Sequence, residues 1–270
     1  MNLAARLREV AGKGASGLER PADAGAYRRR VLIVNADDFG RSNGINRGVL
    51  EAHDDGILTS ASLMSLWPAS SAAAEAARAR PELGVGLHVD LGEWFFREDA
   101  WTVTYLRVSL EDPVAVTAEV ARQLRAFQRL LGRDPTHLDS HQHVHLHEPV
   151  RTVLLELSAE LGVPLRHVSD DVRYCGDFFG QTGRGEPLEH GVSVESLLQT
   201  LALLEQGITE LGCHPGYATD LVTAYGRERA LEVGTLCDPA VRAAVVEQAI
   251  ELRSFASVVP SPRAAPASAS

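Results

Sequence analysis

The chain has 270 residues, of which 45% are apolar and 23% are charged, and its formal net charge is −10. This length suits a single α/β barrel, and the acidic balance argues against nucleic-acid binding, which needs a basic surface. Three widely spaced cysteines argue against a disulfide framework, and no apolar window is long enough for a membrane span.

Short β-rich runs alternate with longer helical patterns through the central part of the chain. The predicted strands are 31–36, 59–65, 85–89, 136–141, 164–168, 208–214 and 255–259. The predicted helices are 43–54, 70–79, 112–131, 148–161, 193–205 and 239–252. The helix 112–131 is the clearest, because Asp112 and Pro113 are typical of a helix start and Gly132 is typical of a helix end. This alternation predicts an α/β fold in which a parallel sheet of about seven strands wraps into a barrel inside outer helices.

The two ends of the chain differ from this pattern. We expect residues 1–29 to form a flexible N-terminal extension, residues 30–259 to form one domain, and the low-complexity residues 260–270 to be disordered. The first 30 residues contain no apolar core of the kind that a secretory signal needs, so we expect a cytoplasmic protein.

Carboxylates and imidazoles follow four of the predicted strands, at the point where each strand ends. They are Asp37 and Asp38, then His88, then Asp139 and His141, and finally His214. In a parallel barrel the carboxyl ends of the strands meet at one rim, which is where the chemistry of such barrels lies. The sequence therefore predicts a single polar site built by four separate strands.

The paired acids Asp37 and Asp38 follow a buried strand. In an extended chain their side chains point to opposite sides, so that one could bind a cation while the other accepts a proton. The alternative is a helix N-cap, because Gly40 and Ser42 follow closely.

Five of the ten histidines lie between His137 and His147, all at odd positions. A fully extended segment would place all of them on one side together with Asp139, and one strand cannot supply so many ligands. We therefore expect the segment to bend and only some of its histidines to bind a metal. The alternatives are a fortuitous metal-scavenging tract and a solvated loop.

One carboxylate with two imidazoles suits zinc, iron, manganese or a similar divalent ion. Such an ion polarises a carbonyl oxygen and acidifies bound water, which is hydrolytic chemistry. His214 precedes a Pro-Gly turn and is well placed to protonate a leaving group, although it could simply bond to that turn. His88 taken alone could equally be a histidine of the core or of a loop.

Together these motifs resemble the YdjC-like carbohydrate deacetylases, a family that includes chito-oligosaccharide deacetylases and hopanoid-associated deacetylases. The similar stretches are Asn35-Ala36-Asp37-Asp38-Phe39-Gly40, Gly56-Ile57-Leu58-Thr59-Ser60, Gly86-Leu87-His88, the His-rich segment from Thr136 to His145, and Cys213-His214-Pro215-Gly216. They occur in the family's order over roughly residues 31–220.

The resemblance implies a distorted (β/α) barrel that removes N-acetyl groups from an amino sugar or a sugar-containing glycolipid. It implies that Asp38, His88 and His141 bind one divalent metal ion, that Asp37 is the general base and that His214 is the general acid. Magnesium is the metal commonly associated with the family, whereas the ligand set itself favours zinc or another transition metal. The resemblance also allows a homodimer.

Further positions carry weaker expectations. Asp139, His143, Trp94 and Tyr217 are candidates for contacts with the ligands or the substrate. Trp94 begins an aromatic-rich loop at the expected substrate entrance, which could stack on a sugar ring, contact a lipid-linked sugar or form a dimer contact.

Two other functions stay open. A metal-dependent phosphoesterase would need a basic clamp near the metal, and Arg41 is the only basic residue next to the motifs. A non-catalytic sugar-binding or metal-storage protein on the same fold is the second alternative.

Overall fold

The computed structural model describes residues 29–258, so the expectations for residues 1–28 and 259–270 lie outside the described residues. The strands of this part of the chain are β1 (Arg30–Phe39), β2 (Ser60–Leu63), β3 (Gly84–Val89), β4 (Gly92–Arg97), β5 (Ala100–Leu106), β6 (Leu138–Ser140), β7 (Val172–Cys175), β8 (Gly207–Cys213) and β9 (Ile250–Leu252). The α-helices are α1 (Asn43–Asp54), α2 (Ser70–Arg78), α3 (Pro113–Leu131), α4 (Val150–Leu161), α5 (Val194–Ala202), α6 (Arg227–Leu236) and α7 (Pro239–Glu247). None of these helices is both long and apolar enough to cross a membrane.

The main sheet is parallel and has the strand order β6-β3-β2-β1-β8-β7. Strand β1 lies at its centre and pairs with β8 along one edge. Its other edge pairs with β9 over Arg30–Leu32 and with β2 farther along the strand. The sheet curls into a half-barrel with helices around it, which confirms the predicted α/β barrel-like fold. The carboxyl ends of its strands consequently face one rim.

Helix α3 follows the sequence signals closely. The Asp112 side chain accepts hydrogen bonds from the backbone N–H groups of Val114 and Ala115, and Pro113 occupies the first turn. The helix ends at Gly132, which adopts φ +69° and donates its N–H to Gln128. These local interactions explain why its bounds could be predicted from sequence.

Two of the predicted strands are wrong over most of their length. In 164–168 only Leu165 forms a bridge, to Leu138, because His167 adopts φ +63° and turns the chain away from β6. Residues 255–257 form a 3₁₀ turn, and the last strand of the sheet is β9. Helix 239–252 was therefore predicted too long: α7 ends at Glu247, and Ala249 with φ +50° begins the turn into β9.

Besides β9, the elements without a counterpart in the sequence prediction include strand β7, helix α6 and the β4–β5 ribbon. The ribbon occupies the segment interpreted as an aromatic loop, and its strands pair antiparallel. Gln142 holds it, since its side chain accepts from the Trp94 N–H at 2.8 Å and donates to the Trp94 carbonyl at 2.7 Å. The Trp94 side chain is buried in the hydrophobic core rather than open to solvent.

Candidate active site

The end of β1, which carries the two acidic side chains, departs from a regular strand. The pairing of β1 with β2 shifts register between Ala36 and Phe39, and Asp38 adopts φ +65°. A left-handed residue other than glycine costs about 1 kcal/mol, so the surrounding contacts must hold it there. Asp37 and Asp38 each place a carboxylate oxygen within 4.8 Å of a His88 nitrogen. The chain does not stay extended here, yet the two acids have different arginine partners, Arg166 for Asp37 and Arg229 for Asp38.

Asp38, His88 and His141 form a buried cluster in which one potential ligand atom of each lies within 4.8 Å of the others. Asp38 Oδ1 is 3.6 Å from His88 Nε2 and 3.1 Å from His141 Nδ1. Asp38 Oδ1 and His88 Nε2 are both buried without a hydrogen-bond partner. Buried polar atoms are rarely left unpaired, so these two orphaned atoms fit a cation between them. The structure thus places the three expected ligands together.

His88 is oriented by Asp139, which lies on the neighbouring strand. His88 Nδ1 is 2.8 Å from Asp139 Oδ1, so the imidazole keeps Nε2 for a ligand. Burial lowers the pKa of His88, but the nearby carboxylates outweigh it and raise the pKa above its usual value. Ser62 also donates to Asp139 at 2.6 Å. This carboxylate–histidine pair is the arrangement that commonly supports a metal-binding histidine.

His141 meets Glu93, which the β4–β5 ribbon brings to the site. His141 Nε2 is 3.6 Å from Glu93 Oε1, and both Glu93 oxygens accept from Arg41, at 2.7 and 2.8 Å. Burial works against protonation of His141, yet Asp38 and Glu93 raise its pKa to about 9. Burial likewise opposes ionisation of Glu93, but His141 and Arg41 lower its pKa to about 2. Sequence analysis did not identify Glu93, because it belongs to a ribbon that was not predicted.

Asp38 is held on its other oxygen by arginine. Arg229 on α6 donates to Asp38 Oδ2, and Arg41 lies 3.8 Å from the same oxygen. Burial alone would raise the pKa of Asp38, but the charges of Arg229, His141 and Arg41 keep it well below the usual value. Asp38 therefore stays ionised with Oδ1 free of hydrogen bonds.

Asp37 is clamped by Arg166. The guanidinium donates to both oxygens of Asp37 at 2.7 Å, and it also contacts Asp139 at 3.0 Å and Glu210 at 2.7 Å. Asn35 adds a longer hydrogen bond to Asp37, at 3.3 Å. Arg166 is thus surrounded by three buried carboxylates, and burial raises the pKa of Glu210 to about 7 against the opposing charge of Arg166.

The interpretation that Arg41 is the only basic residue beside the motifs is wrong. The fold adds Arg166, which follows the short bridge to β6, and Arg229, which lies on the unpredicted helix α6. All three arginines are paired with carboxylates of the site. The one sequence signal for Arg166 was its place near the end of a predicted strand.

His214 lies just beyond the end of β8, facing Asp37. Its Nε2 is 3.8 Å from Asp37 Oδ2. Its backbone N–H donates to Glu232, whose other oxygen accepts from the Tyr225 hydroxyl. Burial lowers the pKa of His214 to about 4, despite the nearby charge of Asp37, so the ring is neutral near pH 7.

The His-rich segment bends, as the sequence indicates that it must. Gln142 and His143 adopt φ +51° and +54°, which sends the histidines in different directions. His137 stacks on Phe255 with ring centroids 4.0 Å apart, and His145 Nδ1 lies 2.7 Å from the Ser140 hydroxyl. His141 is therefore the member of the segment that meets Asp38.

Two of the weaker candidates lie beside other partners. His143 Nε2 is 3.5 Å from the Tyr174 hydroxyl, which also faces Gly212 on β8. The Tyr217 ring lies under Arg47, and its hydroxyl donates to Glu51 at 2.8 Å, so its contacts are with helix α1.

Comparison with known proteins agrees with this architecture. A chitooligosaccharide deacetylase of Klebsiella pneumoniae is 33% identical, over 85% of this chain and 99% of its own length. A carbohydrate deacetylase of Geobacillus stearothermophilus is 33% identical, over 84% of this chain and 97% of its own. A crystal structure from Enterococcus faecalis V583, provisionally described as a cellobiose-phosphate cleavage protein, superposes with TM-score 0.68 at 26% identity, covering 85% and 98% of the two chains. Residues 31–247 match the family model described as YdjC-like protein. The chain therefore belongs to the YdjC-like protein family.

Proposed function

We propose that the protein is a metal-dependent carbohydrate deacetylase, which hydrolyses the N-acetyl group of an amino sugar to acetate and a free amine. The observation that carries this proposal is the buried cluster of Asp38, His88 and His141 with Asp37 beside it. The names of the relatives supply the substrate class, a small carbohydrate. Free cysteines at three positions are typical of a reducing compartment, which is consistent with a cytoplasmic location.

The residues that would hold the metal are Asp38, His88 and His141. When bound, a divalent ion polarises the amide carbonyl and lowers the pKa of water toward neutrality. The donor set of one carboxylate and two imidazoles favours zinc or another transition metal, while magnesium is what the family resemblance implies. Arg229 donates to Asp38 Oδ2, which leaves Oδ1 as the oxygen that would be available to an ion.

Asp37 is suited to remove a proton from the attacking water. Its carboxylate is held in one orientation by the two hydrogen bonds from Arg166, so little reorganisation is needed when the proton moves.

His214 is suited to deliver that proton to the departing amine. Because its ring is neutral near pH 7, it must first receive the proton, and Asp37 Oδ2 lies 3.8 Å from its Nε2. One proton would then pass from water to Asp37, on to His214 and finally to the amine nitrogen as the C–N bond breaks. The products are acetic acid and the amine, which become acetate and ammonium when the acid gives its proton to the amine, and they balance the amide and the water consumed.

The test is acetate release from N-acetylglucosamine oligomers by the wild type and by Asp37→Asn. We expect the substitution to lower the rate at least ~100-fold, which is the usual value of a positioned base, while leaving bound metal unchanged. Asp54→Asn is the matched control, since Asp54 pairs with Arg80 at the surface. Undiminished turnover in Asp37→Asn would show that Asp37 is not the base. Activity that survives a chelator would show that the reaction needs no metal.

The phosphoesterase alternative needs cationic groups that are free to bind phosphate. Arg41, Arg166 and Arg229 are each bound to carboxylates of the site, which weighs against it. The non-catalytic alternative requires loss of the acid or base, and both residues lie beside the cluster. The acetate assay separates the deacetylase from both alternatives.

A further inference from the structure

Phe179 is an exposed aromatic side chain next to the candidate acid. It is 36% exposed, and among the exposed large hydrophobic side chains in residues 29–258 it is the one aromatic. Its ring centroid lies 5.5 Å from that of His214, with the planes at 63°. A single exposed phenylalanine is common on protein surfaces, so the feature that distinguishes Phe179 is its position against His214.

The ring of Phe179 has a rigid backing on one face. Tyr225 stacks on it with centroids 4.9 Å apart and an angle of 11° between the planes. The Tyr225 hydroxyl accepts from the Gly180 N–H at 2.7 Å and donates to buried Glu232. The tyrosine hydroxyl is therefore fixed by two hydrogen bonds, and its ring covers one face of Phe179.

The chemistry of the proposed reaction dictates what lies near this surface. The amine nitrogen that receives a proton from His214 is bonded directly to a ring carbon of the sugar. The sugar ring must consequently lie beside His214, within about one ring width. Phe179 is an aromatic neighbour of His214 at that distance, and the apolar C–H face of a pyranose packs well on a flat aromatic ring.

We propose that Phe179 is a substrate-binding platform on which the amino-sugar ring stacks while its N-acetyl group is hydrolysed. This inference rests on the proposed deacetylase function and adds a specificity residue to it. Removing the flat ring weakens sugar binding, whereas the hydrolytic residues Asp37 and His214 remain in place.

The experiment compares Phe179→Tyr, Phe179→Leu and Phe179→Ala in the metal-loaded full chain. The substrates are N,N′-diacetylchitobiose and ethyl acetate, an acetyl ester without any ring. Isothermal titration calorimetry with the deacetylated disaccharide measures binding directly. Leu203→Ala is the control, because Leu203 is an exposed apolar residue (81%) at the end of α5.

We expect the leucine and alanine variants to raise KM for N,N′-diacetylchitobiose about tenfold. We expect the calorimetric Kd for the deacetylated disaccharide to rise by about the same factor. We expect kcat and ester turnover to stay within about threefold of wild type, and the tyrosine variant to restore KM. A leucine variant that binds sugar as well as wild type overturns the platform, and so does an equal loss of ester turnover.

The same measurements distinguish failure of the proposed deacetylase function from failure of the Phe179 platform. A wild type that binds sugar through Phe179 but releases no acetate overturns the deacetylase proposal and leaves the platform standing as a binding site. A wild type that releases acetate while Phe179→Ala keeps its KM overturns the platform alone. A wild type that neither binds nor hydrolyses the sugar overturns both.

Discussion

The contact between helix α1 and the loop after β8 offers a sharp test of how His214 is positioned. A Cβ atom added to Gly48 would lie 2.4 Å from Gly216 Cα and 2.7 Å from Gly216 N, whereas ordinary contacts begin near 3.4 Å. Both of the opposing atoms are backbone, so no side-chain rotation relieves the clash. Gly48→Ala must therefore push the helix and the loop apart by about 1 Å.

The magnitude follows from two opposing effects on the free energy of unfolding. Overpacking costs about 1–3 kcal/mol, while replacing glycine within a helix recovers about 0.5–1 kcal/mol. We expect a net loss of about 1 kcal/mol, which lowers Tm by about 2–4 °C for a domain of this size. The loop carries His214 two residues before Gly216, and a shift of about 1 Å in a catalytic group can lower turnover about 100-fold.

Gly234 provides the matched control, because it lies in helix α6 and a Cβ there would meet nothing within 4 Å. Gly234→Ala should raise the stability by about 0.5–1 kcal/mol and leave turnover unchanged. Thermal unfolding and acetate release on both variants give the comparison. If Gly48→Ala is as stable and as active as Gly234→Ala, the loop is not held by this backbone contact.

Three more predictions concern the charges of the site. Arg166→Met removes the counter-charge of three buried carboxylates and should lower the free energy of unfolding in urea by about 3–5 kcal/mol. Arg80→Met, at an exposed ion pair, should lower it by less than about 1 kcal/mol. Equal losses in the two variants would contradict the role of burial. Burial raises the pKa of Glu232 to about 8 from an ordinary 4.5, so the folded protein keeps a proton that the unfolded chain releases. The stabilisation from Glu232 is complete below pH 4.5 and is lost as the pH rises through about 8. The free energy of unfolding of the wild type should therefore fall between pH 5 and 8 relative to that of Glu232→Gln. Parallel curves of stability against pH for the two proteins would refute this. Zinc or magnesium at 100 times its Kd should raise the free energy of unfolding by about 2.7 kcal/mol and Tm by about 5–10 °C. If Asp38→Asn shows the same rise in Tm, Asp38 is not a ligand.

Features with a local physical cause could be predicted from the sequence. Helix α3 was predicted because Asp112, Pro113 and Gly132 act on the backbone within a few residues of themselves. The meeting of the ends of β1, β3, β6 and β8 follows from the parallel arrangement, in which every strand ends at the same rim. That rule placed Asp38, His88 and His141 together before any coordinates were known, and their role as metal ligands stays a prediction.

Features that depend on contacts between residues distant in the sequence could not be predicted from the sequence. Strand β9 was missed because its partner, β1, is more than 200 residues away and its own residues continue a helical pattern. The β4–β5 ribbon was interpreted as a loop because the residues that hold it, Arg41 and Gln142, are distant from it in the sequence.

The order of residues along the chain is enough to predict which strands end in acids and histidines, and the parallel arrangement brings those ends to one rim. The charges that surround these residues depend on the folded structure. Arg166 and Arg229 reach Asp37 and Asp38 from positions 129 and 191 residues away. A pairing of this kind depends on burial and on the course of the whole backbone, and no local pattern encodes it.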